Sequence, residues 1–134
     1  MTSKVTYTGS LRTSCEHLKS GNTIITDAPT DNNGKGEAFS PTDIVATGLA
    51  SCILTIMGIK ARDIAVDLTD ASAAVTKHMA SNPRRIAGID IVLELPSAVS
   101  EKHRKLLENV ANTCPVHYSL HPEIKKEISF LWIL

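Results

Sequence analysis

Apolar and polar residues follow different periods along this chain, and each period predicts an element. From Lys4 to Thr26 the pattern alternates loosely through Val5, Tyr7, Leu11, Ile24 and Ile25, with Gly9 and Gly21 at the turns, which predicts two or three short strands. Asp27 to Phe39 gathers Pro29, Asp31, Asn32, Asn33, Gly34, Gly36 and Glu37, a composition that predicts a loop leading into a helix. Ser40-Pro41-Thr42-Asp43 supplies the helix start, with a serine for the N-cap, a proline at the first helical position and a carboxylate three residues after the cap. The helix is expected to reach about Ala61, with Ile44, Val45, Leu49, Cys52, Ile53, Ile56, Met57 and Ile59 spread over nearly every side. A helix apolar all round is enclosed by protein, and in so short a chain that predicts burial against a sheet and a second subunit.

Ile64 to Met79 and Ile86 to Leu95 flank Ser81-Asn82-Pro83-Arg84-Arg85, and the second run alternates Ile89, Ile91, Leu93 and Leu95 with Asp90 and Glu94. This predicts a two-stranded hairpin. Between Ser97 and Asn112, Val99, Leu106, Leu107 and Val110 keep helical spacing beside Glu101, Lys102, Arg104 and Lys105, which predicts an amphipathic helix. Cys114-Pro115 opens a short further helix, and Ile128 to Leu134 reads as a closing strand buried on both faces. The expected order is three strands, a helix, two strands, a helix, a short helix and a strand. With no repeat and no linker, residues 1–134 are read as one domain.

Composition narrows the function classes. Fourteen basic and fourteen acidic residues cancel, and aromatic residues make up 4%, so no nucleic-acid partner is expected. The N-terminus carries no apolar signal region, and the apolar stretch near residues 44–59 is broken by Thr47, Gly48, Ser51 and Thr55. Neither export nor a membrane partner is expected, and the compartment is read as reducing cytoplasm. Three cysteines in that setting point to catalytic, redox or merely buried thiols rather than to a disulfide framework.

The candidate chemistry rests on Cys52, inside the apolar helix, and Cys114, directly before Pro115. They read as a separated two-cysteine redox pair, which the fold has to bring to a Cβ separation of roughly 4 Å before a disulfide can form. The bland alternatives are a small core hydrophobe for Cys52 and a partly buried loop thiol for Cys114. A residue before proline tends to lie just outside a helix, so the Cys114 sulfur is expected at a helix N-terminus, where its pKa is lowered. Arg12 is a candidate cation for a thiolate, because its charge is permanent and its fork can be aligned by a carboxylate. Otherwise it is an ordinary surface arginine. Cys15, in an alternating strand, is read as structural. Cys114-x-x-His117 with His121 lacks the second ligand cluster of a zinc site, and no Walker, dinucleotide, G-x-S-x-G or H-E-x-x-H pattern occurs.

Tyr7-Thr8-Gly9-Ser10-Leu11-Arg12, Ser20-Gly21-Asn22-Thr23-Ile24-Ile25-Thr26-Asp27-Ala28-Pro29, Ser40-Pro41-Thr42-Asp43 with Ala50-Ser51-Cys52, and Cys114-Pro115-Val116 together resemble the OsmC/Ohr family of thiol-dependent hydroperoxide reductases. The resemblance covers nearly the whole chain. It implies an α+β fold with a curved, antiparallel-rich sheet around central buried helices, and an intertwined homodimer with active sites at the interface. It also implies Cys52 as the peroxidatic thiolate, Cys114 as the resolving cysteine and Arg12 as the residue that stabilises thiolate and peroxide. Well-studied members carry a glutamate ten residues before the peroxidatic cysteine, where this chain has Thr42. The carboxylate for Arg12 is therefore expected from Asp43, next to Thr42, or from Glu37 in the preceding loop.

The implied reaction is a cysteine-based peroxidase cycle serving as an antioxidant defence. Cys52 attacks a hydroperoxide and becomes a sulfenic acid, Cys114 condenses with it, and an external dithiol, such as a lipoylated protein, reduces the disulfide. No metal, haem or flavin cofactor is expected. Leu49, Ile53 and Met57 are expected to line an apolar pocket favouring organic hydroperoxides. Two rival readings keep the fold without turnover: a protein that binds a small apolar ligand, and a redox sensor whose disulfide alters a partner surface.

Overall fold

A computed structural model describes residues 1–134. Its strands and helices follow in the order expected: β1 (Ser3–Gly9), β2 (Arg12–His17), β3 (Thr23–Asp27), α1 (Pro41–Asp63), β4 (Ser72–Ala80), β5 (Arg85–Leu95), α2 (Glu101–Ala111), α3 (Pro115–Ser119) and β6 (Lys125–Trp132). The α+β class holds, with two three-stranded sheets in place of one curved sheet. Two compact units are distinguished along the chain, Met1–Val45 and Ala46–Leu134.

The first unit is the antiparallel sheet β1-β2-β3 followed by a tight loop. Ser10 and Leu11 form the two-residue turn between β1 and β2, both in the left-handed region at φ 55 and 61, as the twist of a tight hairpin demands. Leucine is an uncommon occupant of that region. Two hydrogen bonds hold it there: its N–H donates to Tyr7 Oη at 3.3 Å, and its carbonyl accepts the Ala28 N–H at 3.0 Å. Loop 28–39 folds back on itself through Gly34 N–H to Pro29 O and Gly36 N–H to Ala28 O. At Gly34 any Cβ would run into the Ala28 carbonyl, so glycine is required.

The start of α1 is the reciprocal cap read from sequence. Asp43 N–H donates to Ser40 Oγ at 3.1 Å, and Ser40 N–H donates to an Asp43 carboxylate oxygen at 2.9 Å.

The second unit is built on β4-β5-β6, in which β4 and β5 pair antiparallel and β5 and β6 pair parallel. Ile89, Ile91, Leu93 and Leu95 are fully buried along one face of β5, as their alternation predicts. They join Leu49, Ile53 and Met57 of α1 and Leu107 of α2 in one core, each such side chain contributing about 1.5–3 kcal/mol by leaving water. One expectation is corrected here: the closing strand β6 alternates half-buried and exposed positions, because only one of its faces meets the core. Within the chain, the buried positions of α1, Ala46, Leu49, Ala50, Ile53, Met57 and Ala61, fall on one stripe, and Val45, Ser51, Thr55, Gly58 and Ile59 are exposed.

Candidate functional site

Arg12 is the first residue of β2, and the strand register sets Asp27, the last residue of β3, directly opposite it. The two side chains form a bidentate pair, Nε to Oδ1 and Nη2 to Oδ2, both at 2.8 Å. Parallel N–H donors meeting both carboxylate oxygens make the strongest form of this interaction. The Asp27 carboxylate is 1% exposed and also accepts the Glu37 backbone N–H at 3.1 Å. Burial of a carboxylate is costly unless its oxygens are occupied, and here two sources occupy them. The Arg12 hydrogen bonds hold the Asp27 carboxyl below its usual range; burial opposes the effect and the Glu37 N–H adds to it. The same pair raises the Arg12 pKa beyond its already high value.

Glu37, expected from sequence as a partner of Arg12, contributes an exposed carboxylate 3.5 Å from Arg12 Nη2. Its backbone serves the pair more closely than its side chain does. Asp43, the other expected partner, spends a carboxylate oxygen on the Ser40 cap. Thr42 Oγ1 lies 3.2 Å from Ser40 Oγ in the same capping turn. Asp27 was therefore the residue overlooked. A signal for it was present: with the chain reversing around Gly21, an antiparallel hairpin places the two ends of Arg12–Asp27 face to face, and opposite charges directly across a pair of strands stabilise it.

In the second unit, Cys52 is half-buried on α1 and Cys114 is fully buried in the core. Both are free thiols. Cys114 caps α3 in extended backbone with Pro115 at the first helical position, as expected, and its sulfur accepts the His117 N–H at 3.2 Å. The expected lowering of its pKa is overturned. Burial raises the thiol above the ordinary 9.0, the His117 N–H only partly offsets this, and hydrogen bonding to Cys52 raises it further. One turn of helix offers too little dipole to outweigh loss of water around a thiolate. The nearness of Cys52 carries the chemical meaning, since the fold packs two sequence-distant thiols against one core cluster. A sulfenic acid formed on the more accessible sulfur would have its condensing thiol beside it.

Leu49, Ile53 and Met57 do not line an open pocket; all three are sealed in the core. The second unit instead has an open cavity of about 530 Å³ beside the end of α1, lined by Leu54, Gly58, Arg62, Val66 and Leu68 among others. Cys15 sits mid-strand, half-buried, opposite Val5 and Ile24, and lines an apolar pocket of about 330 Å³ with Val5, Ile24 and Ile44. No group of three or more His, Cys, Asp or Glu residues is arranged to hold a metal.

Comparison with known proteins places these observations. The family model described as OsmC-like protein matches residues 34–129. A crystal structure from Psychrobacter arcticus 273-4, assigned to osmotic stress induced and detoxification response, is 55% identical, with a TM-score of 0.94 over 97% of this chain and 95% of that one. An organic hydroperoxide resistance protein OsmC from Legionella pneumophila shares the fold at 17% identity, with a TM-score of 0.76 over 98% of this chain and 97% of that one. So does an organic hydroperoxide resistance protein from Vibrio cholerae with captopril bound in one of its active sites, at 18% identity and a TM-score of 0.75 over 99% of this chain and 93% of that one. No curated protein matches the chain.

Proposed function

We propose a thiol peroxidase function on one premise: the chain belongs to the OsmC-like family. The substrates are organic hydroperoxides. Cys52 thiolate attacks the terminal peroxide oxygen, the O–O bond breaks, an alcohol leaves after taking a proton, and Cys52 becomes a sulfenic acid. The Cys114 sulfur then bonds to Cys52 and water departs. An external dithiol reduces this disulfide by exchange and is itself oxidised, which returns both thiols. In the mechanism that the family resemblance implies, Arg12 is the cation that favours the Cys52 thiolate and orients the peroxide.

The observation that carries the reading is that Cys52 packs against the same core cluster that encloses Cys114, near enough to act on the ionisation of Cys114. The raised pKa of Cys114 keeps that thiol protonated and so leaves the first attack on peroxide to Cys52. A role in detoxification accords with the response to which the 55%-identical Psychrobacter protein is assigned. The working protein is a homodimer of the cytoplasm. Exposed Val5, Tyr7, Ile24 and Ile25 on the sheet of the first unit, with Phe39 in the loop after it, favour that assembly, because exposed apolar residues gathered on one small unit seek cover.

The test is dithiol-dependent consumption of cumene hydroperoxide by wild type, Cys52→Ser and Cys114→Ser, with non-reducing mass analysis after one equivalent of peroxide. Turnover lost in Cys52→Ser and a Cys52–Cys114 disulfide trapped in wild type support the proposal. Intact thiols and equal background rates in all three proteins would sink it and favour an apolar-ligand binder.

A further inference from the structure

We propose that Asp27 is the residue that positions the Arg12 guanidinium for the reaction, an inference that rests on the peroxidase reading and deepens it. Three independent features converge on Asp27. The β2–β3 register places the two residues opposite one another, so backbone pairing fixes their separation before any side chain turns. The carboxylate is buried and binds the Nε and Nη2 edge of Arg12 through both oxygens. It also accepts the Glu37 N–H, and so ties the guanidinium to the loop that follows β3.

The geometry leaves a definite donor for a ligand. Arg12 is 31% exposed. With Nε and Nη2 engaged by Asp27, Nη1 keeps both of its N–H groups for a developing anion, at an orientation the carboxylate dictates. The neighbouring backbone is held as well: the carbonyl of Leu11, which precedes Arg12, accepts the N–H of Ala28, which follows Asp27. Glu37, by contrast, is 66% exposed, and its longer ion pair competes with water. Asp27 holds Arg12, and Glu37 only supplements that hold.

The experiment compares wild type, Asp27→Asn, Asp27→Glu, Glu37→Gln, Arg12→Ala and the Arg12→Ala/Asp27→Asn double variant. It reads the rate of Cys52 oxidation by cumene hydroperoxide and the pH profile of Cys52 alkylation by iodoacetamide. Asp27→Asn is expected to slow oxidation by about 10- to 100-fold, the scale on which small misplacements of a catalytic group act, and to move the alkylation profile to higher pH. Asp27→Glu keeps the charge but lengthens the arm, and should lose less. Glu37→Gln should lose less than Asp27→Asn. In the Arg12→Ala background Asp27→Asn should add nothing further, a non-additivity that a purely structural aspartate would not produce.

An Asp27→Asn protein with wild-type rate and alkylation profile, a larger loss in Glu37→Gln, or additive losses in the double variant would overturn the proposal. If wild type itself consumes no hydroperoxide, the peroxidase reading fails on its own. The alkylation profiles still decide whether Asp27 governs Arg12. Should Asp27→Asn fail to fold, the profile of Asp27→Glu decides: one unchanged from wild type overturns the proposal.

Discussion

Arg12 and Asp27 meet because one short hairpin puts them in register, whereas Cys52 and Cys114 meet because the core of the second unit brings α1 and the start of α3 together. The first encounter is local. Backbone hydrogen bonds of β2 and β3 decide it, and a shift of one residue would send the two side chains to opposite faces. The second is global, and depends on packing by Leu49, Ile53, Ile91 and Leu107. The charged pair is thus placed by a ladder and the thiol pair by a core, and the two should fail under different insults.

The largest effect is expected from the thiols. Cys52→Ser should bring peroxide consumption down to the uncatalysed background, while Cys114→Ser should still lose peroxide once per chain and then stall as sulfenic acid; a stopped-flow burst with dimedone trapping distinguishes them. Next comes the packing that brings them together. Leu49→Ala should cost about 2–5 kcal/mol in denaturant unfolding and slow Cys52–Cys114 disulfide formation, while the Arg12–Asp27 pair, set by the hairpin register, is left intact. An unchanged rate of disulfide formation in that variant would break the comparison. Ser40→Ala, which removes one arm of the α1 cap, should cost about 1 kcal/mol.

The smallest effects are in pH dependence, and their signs differ. Asp27 has a folded pKa below the ordinary 3.8, so its contribution to stability is full above that pH and is lost as pH falls through the folded value. Cys114 has a folded pKa above 9.0, so its contribution is full below that pH and is lost as pH rises through the folded value. Stability measured across pH should therefore show a weaker acid limb in Asp27→Asn and a weaker alkaline limb in Cys114→Ser. Swapped limbs would contradict both assignments.

Much of the fold was legible in the sequence because its signals are local. The Ser40-Pro41-Thr42-Asp43 cap, the alternation through Ile89, Ile91, Leu93 and Leu95, and Cys114 before Pro115 each name their own element, since hydrogen-bonding capacity and side-chain period are properties of a few neighbouring residues. Cys52, Cys114 and Arg12 could be named as candidates for the same reason. The identity of the carboxylate on Arg12 was within reach of strand register, yet proximity in sequence to Thr42 favoured Asp43 and Glu37.

What only the tertiary structure decided is environment. The sequence by itself determined which residues could bond, ionise and alternate, but burial is the sum of contacts from distant segments. Burial turned Cys114 from a thiol expected to ionise readily into one that resists ionisation, closed Leu49, Ile53 and Met57 away from any pocket, and chose Asp27 as the enclosed partner of Arg12. The free energy of a charge or a methyl group depends on the water removed around it, and no local stretch of the chain records how much that is.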